Sequence, residues 1–191
     1  SYDIRGRKTA EYGTAVHPVC FSYNGADQRI SLTTFRVGER DITTDPSGRT
    51  DGDTTTWLYD EATGLELKKT YADDSFVSKT YDDLNRLKTL TKARGIVTTY
   101  AYTPLTGELI SVTHNDGTPR WQFSYNHLGQ MTSVQDASGL RELTYDAFGR
   151  MIQDTSFSMV ESLLQEDFDL FGRPAGYRLM IGTRTVQHSH L

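Results

Sequence analysis

The stretch Tyr145-Asp146-Ala147-Phe148-Gly149-Arg150 recurs along the chain and decides its fold. Its pattern is aromatic-Asp/Asn-x-x-Gly-Arg. Full or looser copies begin at Tyr2, Tyr23, Tyr59, Tyr81, Tyr102, Tyr125, Tyr145 and Phe168. Successive copies are 20 to 23 residues apart, except for the 36 residues between Tyr23 and Tyr59. A fixed period of this length is typical of repeat proteins. The sequence therefore predicts a single array of about eight repeats over residues 1–191, with an irregular insertion near residues 36–58.

Each copy carries the residues of a tight turn. Glycine accepts positive φ at no steric cost, and asparagine is the residue best able to replace it there. We therefore predict positive φ at Gly6, Gly129, Gly149 and Gly172, and at Asn85 where asparagine replaces glycine. The structural turn residues predicted from the clearest copies are Tyr2, Asp3, Gly6, Arg7, Tyr81, Asp82, Asn85, Arg86, Tyr125, Gly129, Tyr145, Asp146, Gly149, Arg150, Phe168, Asp169, Gly172 and Arg173.

The polar residues of the turns vary together. In the four full copies with Asp at the second motif position, the residue four positions later is Arg, as in Asp82 and Arg86. Where it is Asn, the partner is Gln, as in Asn126 and Gln130 and again in Asn24 and Gln28. In these copies a charged residue at the second motif position is accompanied by a charged residue four positions later, and a neutral residue by a neutral one. This correlation predicts that the two side chains touch across the turn.

A second turn signal lies between copies, and the segments between turns are extended. The second signal is present at Lys92-Ala93-Arg94-Gly95, Asn115-Asp116-Gly117 and Asp136-Ala137-Ser138-Gly139, and Asp45-Pro46-Ser47-Gly48 is its counterpart in the long gap. Each repeat thus contains two turns and two short segments rich in β-branched and aromatic residues. We predict an all-β fold, an antiparallel meander of hairpins with about fifteen strands that forms a curved, elongated repeat sheet.

Two stretches carry more specific expectations. In residues 118–125 the alternation predicts one buried face with Trp121, Phe123 and Tyr125, opposite Arg120 and Gln122. The strongest helix candidate is Ser158–Asp167, but an extended conformation is favoured even there.

Composition restricts the function. The chain has 191 residues and a net charge of -5. Nucleic-acid binding depends on clustered Lys and Arg, so this class of partner is not expected. No apolar run approaches the roughly 20 residues of a membrane span. The single cysteine, Cys20, cannot form an intrachain disulfide.

No catalytic, cofactor or metal site is predicted. Cys20 and His17 are three residues apart, and residues at that spacing in a strand point to opposite faces. Burial as a small apolar side chain is the favoured interpretation of Cys20. His188 and His190 share a strand face, but a solvated tail is favoured over metal binding. The carboxylates of Asp51, Asp53, Asp73 and Asp74 are interpreted as solvated loop residues. We predict no enzyme activity.

The full copies at Tyr2, Tyr81, Tyr145 and Phe168, together with the intervening turns, resemble the YD-repeat or RHS-repeat family from Tyr2 to about Arg173. The resemblance implies long antiparallel strands that form a ribbon, which in large members closes into a shell around a C-terminal toxic polypeptide. The family includes bacterial toxins, wall-associated proteins and teneurins. Some shells end in a self-cleaving region with an Asp-Pro-x-Gly element. Asp45-Pro46-Ser47-Gly48 is similar to it but lies in the middle of a repeat, where a turn is expected.

The resemblance implies a fragment of a much larger secreted or cell-surface protein. The expected role is a non-catalytic structural segment around a toxic or effector cargo. The expected partners are the remainder of its own polypeptide and an encapsulated C-terminal effector, with self-association through sheet edges. The alternative is a carbohydrate-binding or adhesion module, with Trp57, Tyr59, Trp121 and Phe123 as the candidate face for a surface glycan. Burial of these four residues against the sheet is the favoured interpretation.

Overall fold

The computed structural model describes residues 1–14, 16–35, 44–157 and 161–189. The chain divides into two units, Ser1–Ile96 and Val97–Leu191. The described residues form sixteen β-strands and one short 3-10 helix. The all-β class and the antiparallel meander are confirmed, and the strand count is one above the predicted number.

The first unit contains seven strands and the 3-10 turn Pro46–Gly48. The strands are β1 (Ala10–Glu11), β2 (Val19–Tyr23), β3 (Arg29–Thr34), β4 (Asp53–Tyr59), β5 (Glu66–Thr70), β6 (Phe76–Tyr81) and β7 (Leu87–Thr91). Each strand pairs antiparallel with the next one along the chain. The unit is therefore a meander of hairpins.

The second unit contains nine strands with the same arrangement. They are β8 (Val97–Tyr102), β9 (Leu109–His114), β10 (Trp121–Tyr125), β11 (Met131–Asp136), β12 (Gly139–Tyr145), β13 (Met151–Phe157), β14 (Ser162–Phe168), β15 (Pro174–Ile181) and β16 (Arg184–Ser189). Every consecutive pair among these strands is antiparallel.

Strand direction separates the two kinds of turn. From Tyr23 onwards the repeat motif follows an even-numbered strand, such as β10 or β12, whereas the second turn signal follows an odd-numbered one, such as β11. Because neighbouring strands are antiparallel and follow chain order, all repeat turns of a unit lie at one end of its strands. We call this end of each sheet the repeat-turn edge.

The prediction that one face of β10 is buried is wrong. Trp121 is 45% exposed, and Phe123 and Tyr125 are only half-buried. Among the described residues the buried hydrophobic side chains are Ala10, Phe35 and Leu143. Alternation predicts which side chains share a face, but burial also needs a second layer over that face, and Trp121 remains largely open to solvent.

The structure also bears on the helix candidate, the predicted insertion and the stretch Asp45-Pro46-Ser47-Gly48. Residues 162–167 of the helix candidate lie in strand β14, as the extended alternative predicts, and residues 158–160 lie outside the described residues. In the predicted insertion, residues 36–43 are also outside them. Asp45-Pro46-Ser47-Gly48 forms a 3-10 turn that the Asp45 carboxylate caps, rather than a glycine turn with positive φ. Among the described residues, no helix has the length and apolar character that a membrane crossing requires.

Candidate functional site

The repeat turns are the most regular feature of the molecule, and one carboxylate organises each of the clearest copies. In the turn after β12, the Asp146 Oδ1 atom accepts hydrogen bonds from the backbone N–H groups of Phe148 and Arg150, both at 2.9 Å. The backbone closes around it, since the Asp146 N–H donates to the Arg150 carbonyl and the Gly149 N–H donates to the Asp146 carbonyl. The second oxygen, Oδ2, accepts from Arg150 Nε at 2.7 Å. Asp or Asn is needed here because only a short side chain can bond its own turn.

The expected contact across the turn is confirmed in both chemical forms. Asp3, Asp82 and Asp169 each accept a 2.7 Å hydrogen bond from the arginine four residues later. In the neutral copies, the Asn24 amide donates to Gln28 Oε1 and the Asn126 amide donates to Gln130 Oε1, both at 2.8 Å. The expectation on φ is confirmed too, with values of +75° at Gly6 and Gly129, +81° at Gly149, +79° at Gly172 and +62° at Asn85.

The tyrosine that opens the motif joins one repeat to the one before it. Tyr145 donates its hydroxyl to the carbonyl of Met131, the residue that directly follows the previous turn, at 2.7 Å. Tyr125 bonds the Leu109 carbonyl in the same way at 2.9 Å. The same link joins Tyr23 to Lys8, Tyr59 to Arg29 and Tyr81 to Glu66. Our sequence reasoning missed this link, although the preference for Tyr over Phe at the position was a signal for a hydroxyl group.

The last residue of a turn reaches the next turn along the edge. Gln130 accepts from Asn126 within its own turn and donates to the Gly149 carbonyl at 2.8 Å. Arg7 likewise bonds Asp3 in its own turn and the Asn24 carbonyl in the next, at 3.0 Å. The Arg150 guanidinium lies 4.3 Å from the centre of the ring of Phe168, which opens the last full copy of the motif. These turns therefore contact their successors through the last residue of the motif.

The turn hydrogen bonds favour the ionised carboxylate. The backbone N–H of Arg86 and its guanidinium hold the pKa of Asp82 below its usual value, and the same arrangement at Arg7 lowers the pKa of Asp3. The pKa of Asp169 is lowered by Arg173 in the same way. For Asp146, desolvation opposes the decrease, but the bonds from Arg150 outweigh it and the pKa is lowered.

Acid should therefore destabilise the fold through these turns. A carboxylate whose pKa is depressed in the folded state stabilises the fold above its unfolded pKa of about 4, and this stabilisation is lost as the pH falls through the folded pKa. We expect the free energy of unfolding, measured by urea titration, to decrease from pH 5 downwards. The double variant Asp82→Asn with Arg86→Gln copies the neutral pair of Asn126 and Gln130. It should show a smaller decrease than the wild type, and an identical decrease would contradict the assignment to the turns.

The residues weighed for catalysis lie in environments that do not favour a reactive thiol or a proton-transfer carboxyl. His17 is exposed, and Cys20 is half-buried on β2, where burial raises the pKa of its thiol. A raised pKa disfavours the thiolate, which is the reactive form. Asp45 bonds the side chains of Ser1 and Ser47, and these bonds lower its pKa to about 2. A carboxylate so strongly held ionised is poorly suited to acid–base catalysis near neutral pH.

The histidines considered as metal ligands and the carboxylates interpreted as loop residues have separate surroundings. His188 stacks against Tyr177 at 5.7 Å between ring centres, whereas His190 lies outside the described residues. In the described part of the chain, no group of three or more His, Cys, Asp or Glu side chains is arranged to hold a metal. Asp51 pairs with Arg49, and Asp73 bonds Ser75 in its own turn, whereas Asp74 has a φ of +62°.

The four aromatic residues of the expected glycan face are in different environments. Trp57 is half-buried, with the Arg29 guanidinium 4.7 Å and the Lys69 ammonium 5.4 Å from its ring centre. Tyr59 uses its hydroxyl for the repeat link. Trp121 is open to solvent and lies 6.3 Å from Phe123 between ring centres. Trp57 is therefore engaged with cations of its own sheet, and Trp121 is the more accessible ring.

Comparison with known proteins identifies the repeat. The family model described as "RHS Repeat" matches three overlapping segments, residues 81–119, 105–141 and 125–158. These segments include the turns after β6, β8, β10 and β12, where the tyrosine, Asx and glycine positions of the motif lie.

Solved structures share the fold. A crystal structure of TcdB2-TccC3 matches at a TM-score of 0.56 and 13% identity, and one of TcdB2-TccC3-Cdc42 at 0.51 and 15%. A Tc holotoxin pore of Photorhabdus luminescens with a TccC3 mutation matches at 0.50 and 15%. Each match covers 96% of this chain but only 12% of the other, so the chain spans about an eighth of those proteins. At this identity the likeness shows the fold alone. The family match shows RHS repeats over residues 81–158 of this chain.

Proposed function

We propose that this chain is a structural, non-catalytic stretch of the wall of a larger secreted or cell-surface RHS-repeat protein. In this proposal the wall is a β-shell or scaffold around a toxic or effector polypeptide, which is C-terminal in the same protein. The predicted structural turn residues hold the wall together, and the single array of repeats is one continuous part of it.

The observation that carries this proposal is the serial link between repeats. A tyrosine hydroxyl joins each linked repeat to the previous one, and a turn side chain such as Gln130 reaches the next turn. The polar groups of the turns are used in these bonds, and in the described residues no buried side-chain nitrogen or oxygen lacks a hydrogen-bond partner. An array that bonds only to its neighbours can be extended by adding repeats, which is what a wall requires.

The comparisons support the same role. The matching structures are named as TcdB2-TccC3 complexes and a Tc holotoxin pore, and each is far longer than this chain. A short stretch that matches the fold of such long chains over 96% of its own length is consistent with one part of a larger shell.

The test uses the longer polypeptide that contains this chain. If the repeats enclose the C-terminal segment, limited proteolysis should cleave that segment much more slowly than the same segment produced alone. Gly149→Val should open the wall locally and increase the cleavage rate, whereas Gly149→Asn, which keeps a residue tolerant of positive φ, should not. Equal cleavage of the joined and the isolated segment would contradict the proposal.

The alternative, a carbohydrate-binding or adhesion module, is supported by one observation. Trp121 is accessible on the sheet beside Phe123, and exposed aromatic rings can stack on sugar rings. A panel of soluble glycans tests it. Binding that Trp121→Ala abolishes would support the alternative, and the absence of binding would exclude these glycans as ligands.

A further inference from the structure

Large apolar side chains stand in the solvent along the repeat-turn edge of the second unit. Every repeat turn of this unit carries at least one of them. They are Leu105, Leu128, Phe148, Leu170 and Phe171, with exposed fractions of 97%, 78%, 84%, 101% and 84%. We call these five residues the apolar tip row. Monomeric proteins seldom present so many large apolar groups together unless the surface is an interaction site.

The turn itself does not require large apolar residues at these positions. In the first unit, two repeat turns carry only the small side chains of Ala26 and Ala62 there, although the other two carry the exposed Ile4 and Leu84. At the opposite edge of the sheets, the tips of the other turns include polar residues such as Arg94, Asp116 and Ser138, all exposed. The row is thus confined to one edge, and the geometry of the turn does not explain it.

Hollows lie beside some of the tips. Between the turns after β12 and β14 is a hollow of about 580 Å³, lined by Phe148, Arg150, Phe168 and Phe171. Between the turns after β8 and β10 is another of about 390 Å³, lined in part by Thr106, Glu108 and Phe123. Each can hold a leucine or phenylalanine side chain. At these two places the edge therefore has a depression between successive projections.

The interval between successive tips indicates which kind of partner fits this edge. One repeat contains two strands, and neighbouring strands are about 4.8 Å apart, so tips recur roughly every 10 Å along the edge. A second edge of the same kind has the same interval. Tips of this second edge can enter the two hollows of the first edge while tips of the first edge enter its hollows. Such reciprocal contact is what a two-fold symmetric interface requires.

We propose that the apolar tip row is a self-association surface, which binds the tip row of a second copy of this chain. The available area agrees with a stable contact. The two phenylalanines present roughly 150–250 Å² each. With the three leucines, the row offers on the order of 800 Å², about the area that each partner contributes to a standard interface. This contact is at the turns, and it is distinct from pairing through the free edges of the first or last strand.

The test is the oligomeric state of the chain in solution. Sedimentation velocity over about a hundredfold range of protein concentration should detect a reversible dimer. The double variant Phe148→Asp with Phe171→Asp should raise the dimer dissociation constant by about a hundredfold or more, because it places like charges opposite each other in an apolar contact. Both side chains are exposed, so circular dichroism should show an unchanged fold.

A matched control distinguishes the effect of an added negative charge from the effect of where that charge is placed. Ala137 is exposed in a turn at the opposite edge, and Ala137→Asp adds a negative charge away from the row. This variant should dimerise like the wild type. A chain that remains monomeric at every concentration would overturn the proposal. A dimer that is insensitive to the substitutions at Phe148 and Phe171 would also overturn it and would assign self-association to another surface, such as the strand edges.

Discussion

Replacing Leu143 by alanine is expected to lower the free energy of unfolding by about 2–5 kcal/mol. Leu143 lies on β12 and is only 8% exposed, which makes it one of the few buried hydrophobic side chains among the described residues. Truncation removes apolar contacts from a site where few others compensate. Urea unfolding of the wild type and the variant measures the difference.

The matched control for Leu143 is Trp121. It is the larger side chain, and the alternation of β10 alone assigned it to a core, but it is 45% exposed. Because about half of its surface is already in water and its removal leaves no enclosed cavity, Trp121→Ala should cost less than Leu143→Ala, roughly 2 kcal/mol. A larger loss from Trp121→Ala than from Leu143→Ala would contradict the burial described here.

Replacing Gly149 by valine is expected to lower the free energy of unfolding by about 1–3 kcal/mol. Gly149 has a φ of +81°, a conformation that a β-branched residue adopts only under strain. A Cβ atom there would also lie 3.1 Å from Gln130 Nε2, the atom that bonds the Gly149 carbonyl. The substitution therefore disturbs both the turn and its link to the preceding repeat.

The chain provides the control for this substitution. Asn85 occupies the equivalent position after β6 with a φ of +62°. Gly149→Asn should consequently cost much less than Gly149→Val in the same urea titration. Equal losses for the two variants would mean that steric crowding, rather than backbone conformation, controls the position.

The turns could be predicted because their causes are local. A short carboxylate or amide that bonds its own backbone, and a glycine three residues later, are both visible in six consecutive residues such as Tyr145–Arg150. The pairing of Asp82 with Arg86 and of Asn126 with Gln130 could be inferred by comparing copies within one chain. The antiparallel meander follows once each repeat has two turns, because short turns join neighbouring strands.

Burial could not be predicted in the same way. The exposure of Trp121 depends on which element covers the sheet, and a period-2 pattern has no information about a second layer. The bond from the Tyr145 hydroxyl to the Met131 carbonyl depends on the register between consecutive repeats, which the repeat spacing alone does not determine. The apolar tip row could not be predicted either, because Leu128 and Phe148 occupy motif positions for which the repeat pattern specifies no residue type.

Hydrogen exchange of the Gly149→Val variant tests most directly the claim that repeats are held in series by their neighbours. The amide protons of β11, β12, β13 and β14, which flank the substituted turn, should exchange faster than in the wild type, by about fivefold for each 1 kcal/mol lost. The amides of β8, β9 and β16 in the same unit should keep their wild-type rates, because no link described here joins them directly to that turn. A uniform acceleration in all nine strands of the second unit would contradict the claim, since it would mean that the unit opens as one cooperative core.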